Sequence, residues 1–194
     1  MRELLTRRLA NYAPRQLALD YPEAGILLPV TDAPGNPEIV FTLRSPNLSV
    51  HSGQVAFPGG KRDLSDRTLV ETALRESHEE IGLEPGQVEI IAPLSQVMSR
   101  YGILVTPYVG LVPHDISLAA NPDEIESIFR VPIEFFLTDP RERTDTIPFL
   151  DQTYHIPCYR WGRYEIWGLS AVVLVDFLNA VYDASIDLLE PPVA

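Results

Sequence analysis

Residues 57–83 read F-P-G-G-K-R-D-L-S-D-R-T-L-V-E-T-A-L-R-E-S-H-E-E-I-G-L. A Gly-Gly turn at Gly59 and Gly60 precedes a segment whose pattern predicts a helix over about residues 67–81. At ~100° per residue, Glu76, Glu79 and Glu80 share one arc of that helix. Three like charges so close destabilise a helix unless something neutralises them. Hard divalent cations such as Mg²⁺ take oxygen ligands of this kind, usually with substrate phosphates completing the shell. On the adjacent arc Val70, Ala73, Leu74, Ser77 and Ile81 form a mostly apolar packing stripe, and Gly82 supplies a helix stop. A plain solvated acidic face is the alternative, and the Gly-Gly turn together with the sequence just upstream argues against it.

These residues resemble the signature of the Nudix hydrolases: Gly, five residues, Glu, seven residues, then R-E-U-x-E-E-x-G-U, with U bulky and apolar. Gly60, Arg75, Glu76, Glu79, Glu80, Gly82 and Leu83 match. Three features depart from it. Asp66 stands where the early Glu belongs, one extra residue precedes Arg75, and Ser77 takes an apolar position. The carboxylates needed for a metal are intact.

The stretch from Thr42 to Gly60, T-L-R-S-P-N-L-S-V-H-S-G-Q-V-A-F-P-G-G, resembles the signature of the coenzyme A pyrophosphatase branch of that family. Thr42, Arg44, Ser45, Gly53, Phe57, Pro58, Gly59 and Gly60 fit at the family's spacing. Val40 and Phe41 replace two leucines, and Ser49 replaces an Arg expected to help hold an anionic ligand. Y-E-I-W-G-L-S-A, from Tyr164 to Ala171, is also similar to this branch. The resemblance covers about residues 24–176. It implies an α/β fold, a Nudix-type α/β/α sandwich with a mixed β-sheet. It also implies Mg²⁺ or Mn²⁺ as cofactor, held by Glu76, Glu79, Glu80 and the main-chain carbonyl of Gly59. Arg75 orients these carboxylates through ion pairs. Glu76 and Glu124 are rival candidates for general base, with Glu124 also placed as an outer metal ligand. Arg44, Ser45, Gly53, Lys61 and Arg62 are expected to bind substrate, a small nucleotide: coenzyme A or an acyl derivative, with ADP-ribose or NADH cleavage, or nucleotide binding without cleavage, as the alternatives. His51 and His78 are weaker acid–base candidates, since His78 projects away from the carboxylates.

Composition fits this picture. The 194 residues suit a single domain with a sizeable core. A hydrophobic content of 45% and a mean hydropathy of +0.01 are those of an ordinary globular chain. No stretch approaches the ~18 apolar residues of a membrane span. The Arg-rich start, M-R-E-L-L-T-R-R-L-A, lacks the apolar core of a secretory signal. Cys158 is the only cysteine, so no internal disulfide forms and a reducing cytoplasm is expected. A net charge of −12 argues against nucleic acid as a partner. It also makes a diphosphate substrate awkward unless a metal and local cations intervene. Arg44, Lys61, Arg62 and Arg67 gather near the motif, and Lys61 is the only lysine.

Along the chain, residues 3–18 suggest an amphipathic helix. Residues 24–30 and 38–44 read as strands joined by D-A-P-G-N-P. Residues 54–57 read as a short extended run, and Pro58-Gly59-Gly60 as a breaker. Strands are expected at 87–94 and 103–112, a loop entering a strand at 121–129, and a short helix at 132–137. A hairpin is expected from 153–159 and 164–167, then a helix from 169 to about 188. Helices on both faces of a mixed sheet follow. An exposed strand or the N-terminal helix would offer a homodimer interface. Tyr164 and Trp167 are expected to pack in the core, as is Cys158.

Overall fold

A computed structural model describes residues 1–47, 52–149 and 151–191. Its elements in order are α1 (Arg2–Leu9), β1 (Glu23–Thr31), β2 (Glu38–Arg44), β3 (Val55–Ala56), β4 (Gly59–Lys61) and α2 (Leu69–Ile81). They continue with β5 (Glu89–Pro93), β6 (Val97–Met98), β7 (Leu104–Val112), β8 (Ile125–Pro132) and α3 (Ile133–Leu137). The chain closes with β9 (Arg141–Phe149), β10 (Gln152–Trp161), β11 (Tyr164–Ile166) and α4 (Leu169–Tyr182).

β1 and β7 are parallel in register from Glu23↔Leu104 to Thr31↔Val112, while every other pairing is antiparallel. The main sheet is therefore mixed. Alternation along β1 explains how it carries two layers. Ile26, Leu28 and Val30 enter a core with Leu5 and Leu9 of α1 and Val173, Leu174, Phe177 and Leu178 of α4. Leu27, between them, enters a separate core with Ala73 and Ile81 of α2. Both faces of the sheet are covered, which gives the expected α/β/α sandwich.

Helix α2 begins where Thr68, with extended backbone, accepts from the Glu71 amide through its side chain. It ends at Gly82 in the left-handed region, φ 65°, where the cap amide returns to His78 and Ser77. Thr72, Ala73, Ser77, Glu80 and Ile81 are its buried residues. Ser77, in an apolar position of the motif, satisfies itself by donating to the Ala73 carbonyl at 2.6 Å.

Several expectations need correction. The N-terminal helix stops at Leu9 rather than running to residue 18. Beyond it, the Leu17 amide donates to Gln96 Oε1 at 2.8 Å and the Gln96 amide to the Arg15 carbonyl at 2.9 Å. These bonds, with Pro14 just before them in the chain, draw the segment out as an arm. Gly59 and Gly60 do not break the chain but form β4 against Ile26 and Gly25 of β1. The last helix ends at Tyr182, where Asp183 turns left-handed at φ 54°. Strand β9 went unforeseen because R-E-R-T-D-T-I-P-F has no apolar alternation. It pairs with β10 in a separate three-stranded sheet.

Candidate active site

The site is assembled where α2 lies over β4. Glu80 is 2% exposed. Its Oε2 accepts from the Gly59 amide and its Oε1 from Arg44 Nη1, both at 3.0 Å. Burial pushes its pKa up to about 7, against the pull of that amide and of Arg44, and the charges of Glu76 and Glu124 push the same way. One turn earlier, the Glu76 carboxylate lies flat against Gly60. A Cβ added there would stand 2.4 Å from Glu76 Cδ and 2.5 Å from Oε2. Burial raises the Glu76 pKa too, with Glu79 and Glu124 adding to the rise.

The backbone of Gly59 is free to serve this site. Leu27 donates to the Pro58 carbonyl at 2.8 Å, and Ile26 pairs with Gly59. That makes Ile26↔Gly59 a non-hydrogen-bonded pair, so the amide and carbonyl of Gly59 both point away from β1. The amide meets Glu80, and the carbonyl lies on the same side.

Arg75 organises the acidic face. Its Nη1 donates to Glu76 Oε1 at 2.9 Å and to Glu79 Oε2 at 3.0 Å. Its Nε and Nη2 reach the two oxygens of Asp66 at 3.1 and 2.9 Å. This fork-to-fork pair holds the Asp66 carboxyl far below the usual range. Asp66 also accepts from the Asp63 amide and the Thr72 hydroxyl. In the sequence Asp66 stands as a departure from the Nudix signature and as the later Asp after G-K-R-D that resembles the coenzyme A branch, and neither pattern states this anchoring role. The signal was an acid in the position of the early Glu.

Glu124 sits on a loop tied to both sides of the site. The Asn121 amide donates to the Glu80 carbonyl at 2.9 Å, and the Ser45 amide to the Glu124 carbonyl at 2.8 Å. Its charge acts on Glu76 and Glu80 alike. A residue forty-four positions beyond Glu80 is thus brought to the same acidic face.

Other candidates take different places. Ser45 is buried, and its hydroxyl accepts from the Asn47 amide at 3.4 Å. Gly53, φ 67°, closes the turn after β2 by donating to the Arg44 carbonyl. Arg62 is committed to its own neighbourhood, donating to Glu23 and to the carbonyls of Asp66 and Arg67. Lys61 is exposed at the end of β4, and its carbonyl accepts from Arg75. Arg67 pairs with Glu71 on the surface. His78 faces Glu84, 3.6 Å away, rather than the carboxylates. Ser49 and His51 lie outside the described residues. Cys158 is buried, and burial raises its thiol pKa. Tyr164 stacks on Phe129 at 3.7 Å between ring centroids, and Trp167 is partly buried.

The donor set fits a hard divalent cation. It offers carboxylate oxygens whose mutual repulsion and burial a positive ion would relieve, and a carbonyl outside the sheet ladder. Among the described residues no three acidic, His or Cys side chains already converge on one point. Arg75 holds Glu76 and Glu79, and Arg44 holds Glu80, so these guanidinium groups occupy the place of a counter-charge.

Residues 22–152 match the Nudix domain family. The chain is 37% identical over 161 residues to the uncharacterized Nudix hydrolase NudL of Photorhabdus laumondii, covering 83% of this chain and 86% of that one. It is 36% identical over 155 residues to the mitochondrial Nudix hydrolase 15 of Arabidopsis thaliana, covering 77% of this chain and 54% of that longer one. A MutT/nudix family protein from Enterococcus faecalis shares the fold, with a TM-score of 0.55 at 15% identity over 94% of this chain and 70% of that one. No helix among the described residues is long and apolar enough to cross a membrane. The acidic helix, the glycine strand beneath it and these relationships together show that the chain belongs to the Nudix family, as a hydrolase of the diphosphate linkage in nucleoside diphosphate derivatives.

Proposed function

We propose that this Nudix hydrolase splits coenzyme A or acyl-coenzyme A into adenosine 3′,5′-bisphosphate and 4′-phosphopantetheine or its acylated form. The observation that carries the proposal is the seating of Arg44. This residue of the coenzyme A motif reaches Glu80 of the Nudix helix, so the two motifs meet in one site. Mg²⁺ or Mn²⁺ is the proposed cofactor, with Glu76, Glu79, Glu80 and the Gly59 carbonyl as its ligands. The bound ion would polarise the phosphoryl oxygens and lower the pKa of a water.

The chain's own residues do the rest. Gly60 lets the Glu76 carboxylate lie against the strand, where Arg75 fixes it. Glu76 and Glu124 are the residues to accept the proton of the attacking water. Released from Glu80 by a bound cation, Arg44 would present its guanidinium to a substrate phosphate. Lys61 adds a second cation at the edge. The single cysteine is buried and the site lies in a reducing cytoplasm on this reading.

Product analysis after incubation with Mg²⁺ and coenzyme A, beside ADP-ribose and NADH, tests the proposal. Adenosine 3′,5′-bisphosphate is expected from the unmutated protein and not from a Glu79→Gln/Glu80→Gln variant. Cleavage of ADP-ribose or NADH alone would reject coenzyme A and implicate Ser49. Nucleotide binding with no cleavage of anything would reject catalysis.

A further inference from the structure

Beside the acidic face lies a cleft of about 660 Å³, of whose lining the proposed function uses Lys61 alone. It runs between the N-terminal arm and the loop from β4 to α2, and its size is that of a small-molecule site. Leu19, Tyr21 and Leu64 line it, exposed by 45%, 49% and 106%. They are three of the six large hydrophobic side chains exposed among the described residues, so half of that exposed apolar surface is gathered at one place. Leu64 is fully exposed on a short loop and contributes nothing to the core.

The walls are fixed in advance. The arm is pinned by the bonds of Leu17 and Arg15 to Gln96, and by Tyr12, whose hydroxyl donates to Asp176 at 2.6 Å. The loop is pinned by Arg62, which ties Glu23 to the carbonyls of Asp66 and Arg67.

The charges of the cleft decide its occupant. Arg62 is taken by Glu23, Asp66 by Arg75, and Asp63 accepts from the amide and hydroxyl of Ser65. Along the lining Asp20, Glu23, Asp63 and Asp66 outnumber Lys61 and Arg62, so the cleft is net acidic and has little to offer a further phosphate beyond Lys61 at its edge. It offers apolar surface and polar loop groups, which suit an uncharged chain carrying amides and methylenes. The cleft is also next to the chemistry. Asp66 lines it and holds Arg75, whose Nη1 touches both Glu76 and Glu79, so one guanidinium separates the cleft from the carboxylates.

We infer that this cleft receives the uncharged arm of the substrate, the pantetheine chain and its acyl extension. The inference rests on the coenzyme A reading above.

The test uses the full chain with Leu64→Asp and Leu19→Asp, singly and together. Binding of octanoyl-4′-phosphopantetheine is measured by calorimetry without metal, and kcat/KM is measured for octanoyl-coenzyme A. The double variant should bind the probe about tenfold more weakly and lose a similar factor in kcat/KM, on the scale of losing a methylene-sized contact in an apolar pocket. Because Leu64 is fully exposed, its variant keeps the melting temperature of the parent, and that single variant alone should weaken the probe measurably. Unchanged binding and kcat/KM overturn the inference while leaving coenzyme A cleavage standing. A shifted sedimentation coefficient with unchanged binding overturns it too, and makes the patch a contact between copies. If the unmutated protein cleaves no coenzyme A derivative, the coenzyme A reading itself fails, whatever the two substitutions do.

Discussion

Gly60→Ala separates the geometry of the site from the stability of the fold. The new Cβ would stand 2.4, 2.5 and 2.7 Å from the three terminal atoms of Glu76. Ordinary contact begins near 3.4 Å, so the carboxylate must retreat by about 1 Å. It is the far end of a flexible side chain and can do so. The cost to stability is the loosened pair with Arg75, about 1 kcal/mol for a partly buried pair whose guanidinium keeps Asp66 and Glu79 as partners. Against it stands a gain of roughly 0.4–1 kcal/mol from restricting the unfolded chain. The midpoint of urea denaturation should therefore hardly move. Turnover should fall by about 10–100-fold, the scale of a 1 Å misplacement at a reacting centre. Gly59→Ala is the comparison. Its Cβ would meet backbone, Gly25 O and Ile26 Cα both at 2.5 Å, at φ 144°. That substitution should cost about 2–4 kcal/mol and lower the denaturation midpoint clearly. Full activity in a folded Gly60→Ala protein would refute the seating of Glu76. Equal loss of stability at both positions would refute the distinction between a side-chain end and a backbone wall.

Glu80→Gln should lower turnover at least ~100-fold, the scale of a lost transition-state contact; near-normal turnover removes Glu80 from the site. The same variant carries a pH signature in metal-free melting. Folding raises the Glu80 pKa from 4.5 to about 7, so the parent loses stability as pH climbs between those values, by about 3 kcal/mol in total. The variant should lack that loss, and parallel curves from pH 4.5 to 7.5 would contradict the buried carboxylate. Asp66→Asn should cost about 1.5–3 kcal/mol at pH 7, the worth of hydrogen bonds to a charged group. The Asp66 pKa is depressed far below 3.8 on folding, so its stabilisation is present above that value, and the gap between parent and variant in urea melts should narrow steadily as pH falls below 3.8. Phe177→Ala, at a fully buried ring of α4, should cost about 3–5 kcal/mol in urea melts with kcat unchanged in the protein that remains folded.

Where the sequence was legible, the reason was periodicity. The helical spacing of Ala73, Ser77 and Ile81, with Gly82 after, leaves little freedom over the face and the end of α2, while the Thr68 cap starts it about two residues later than the spacing suggests. The near-continuous apolar runs of β1 and β7 are those of strands covered on both faces. What escaped were elements whose partners are distant. Gly59–Lys61 has the composition of a turn, and only pairing with β1 makes it a strand. Residues 10–18 keep helix-like residues, yet the bonds offered by Ser95 and Gln96 outweigh a short helix interrupted by Pro14. In β9, charged side chains face neighbours on β10 and β11, as Arg143 does with Glu165. Such a strand sends no hydrophobic signal.

The site shows the same division. The carboxylates of one helix are visible in spacing alone, because helix geometry converts sequence separation into angle. Their partners are not, since Arg44, Gly59, Asp66 and Glu124 arrive from four other segments. Asp66 shows why a departure from a motif need not be a loss. Aspartate is one methylene shorter than glutamate and here stands one residue farther from Arg75 along the chain than the motif provides. Both of its oxygens still meet the guanidinium, because Arg62 gathers the loop by binding the carbonyls of Asp66 and Arg67. The loop, and not the length of the acid, sets the distance. A change that frees this loop, such as Arg62→Ala, should therefore weaken the grip on Arg75 without touching any carboxylate of the site. Glu76 and Glu79 would then lose a common anchor together. A double-mutant cycle of Arg62→Ala with Asp66→Asn, read by denaturation midpoint and by kcat/KM, should show strong non-additivity of about 1 kcal/mol or more. Simple additivity would mean that the loop and the carboxylates act independently, and that the departures from the motif are tolerated for another reason.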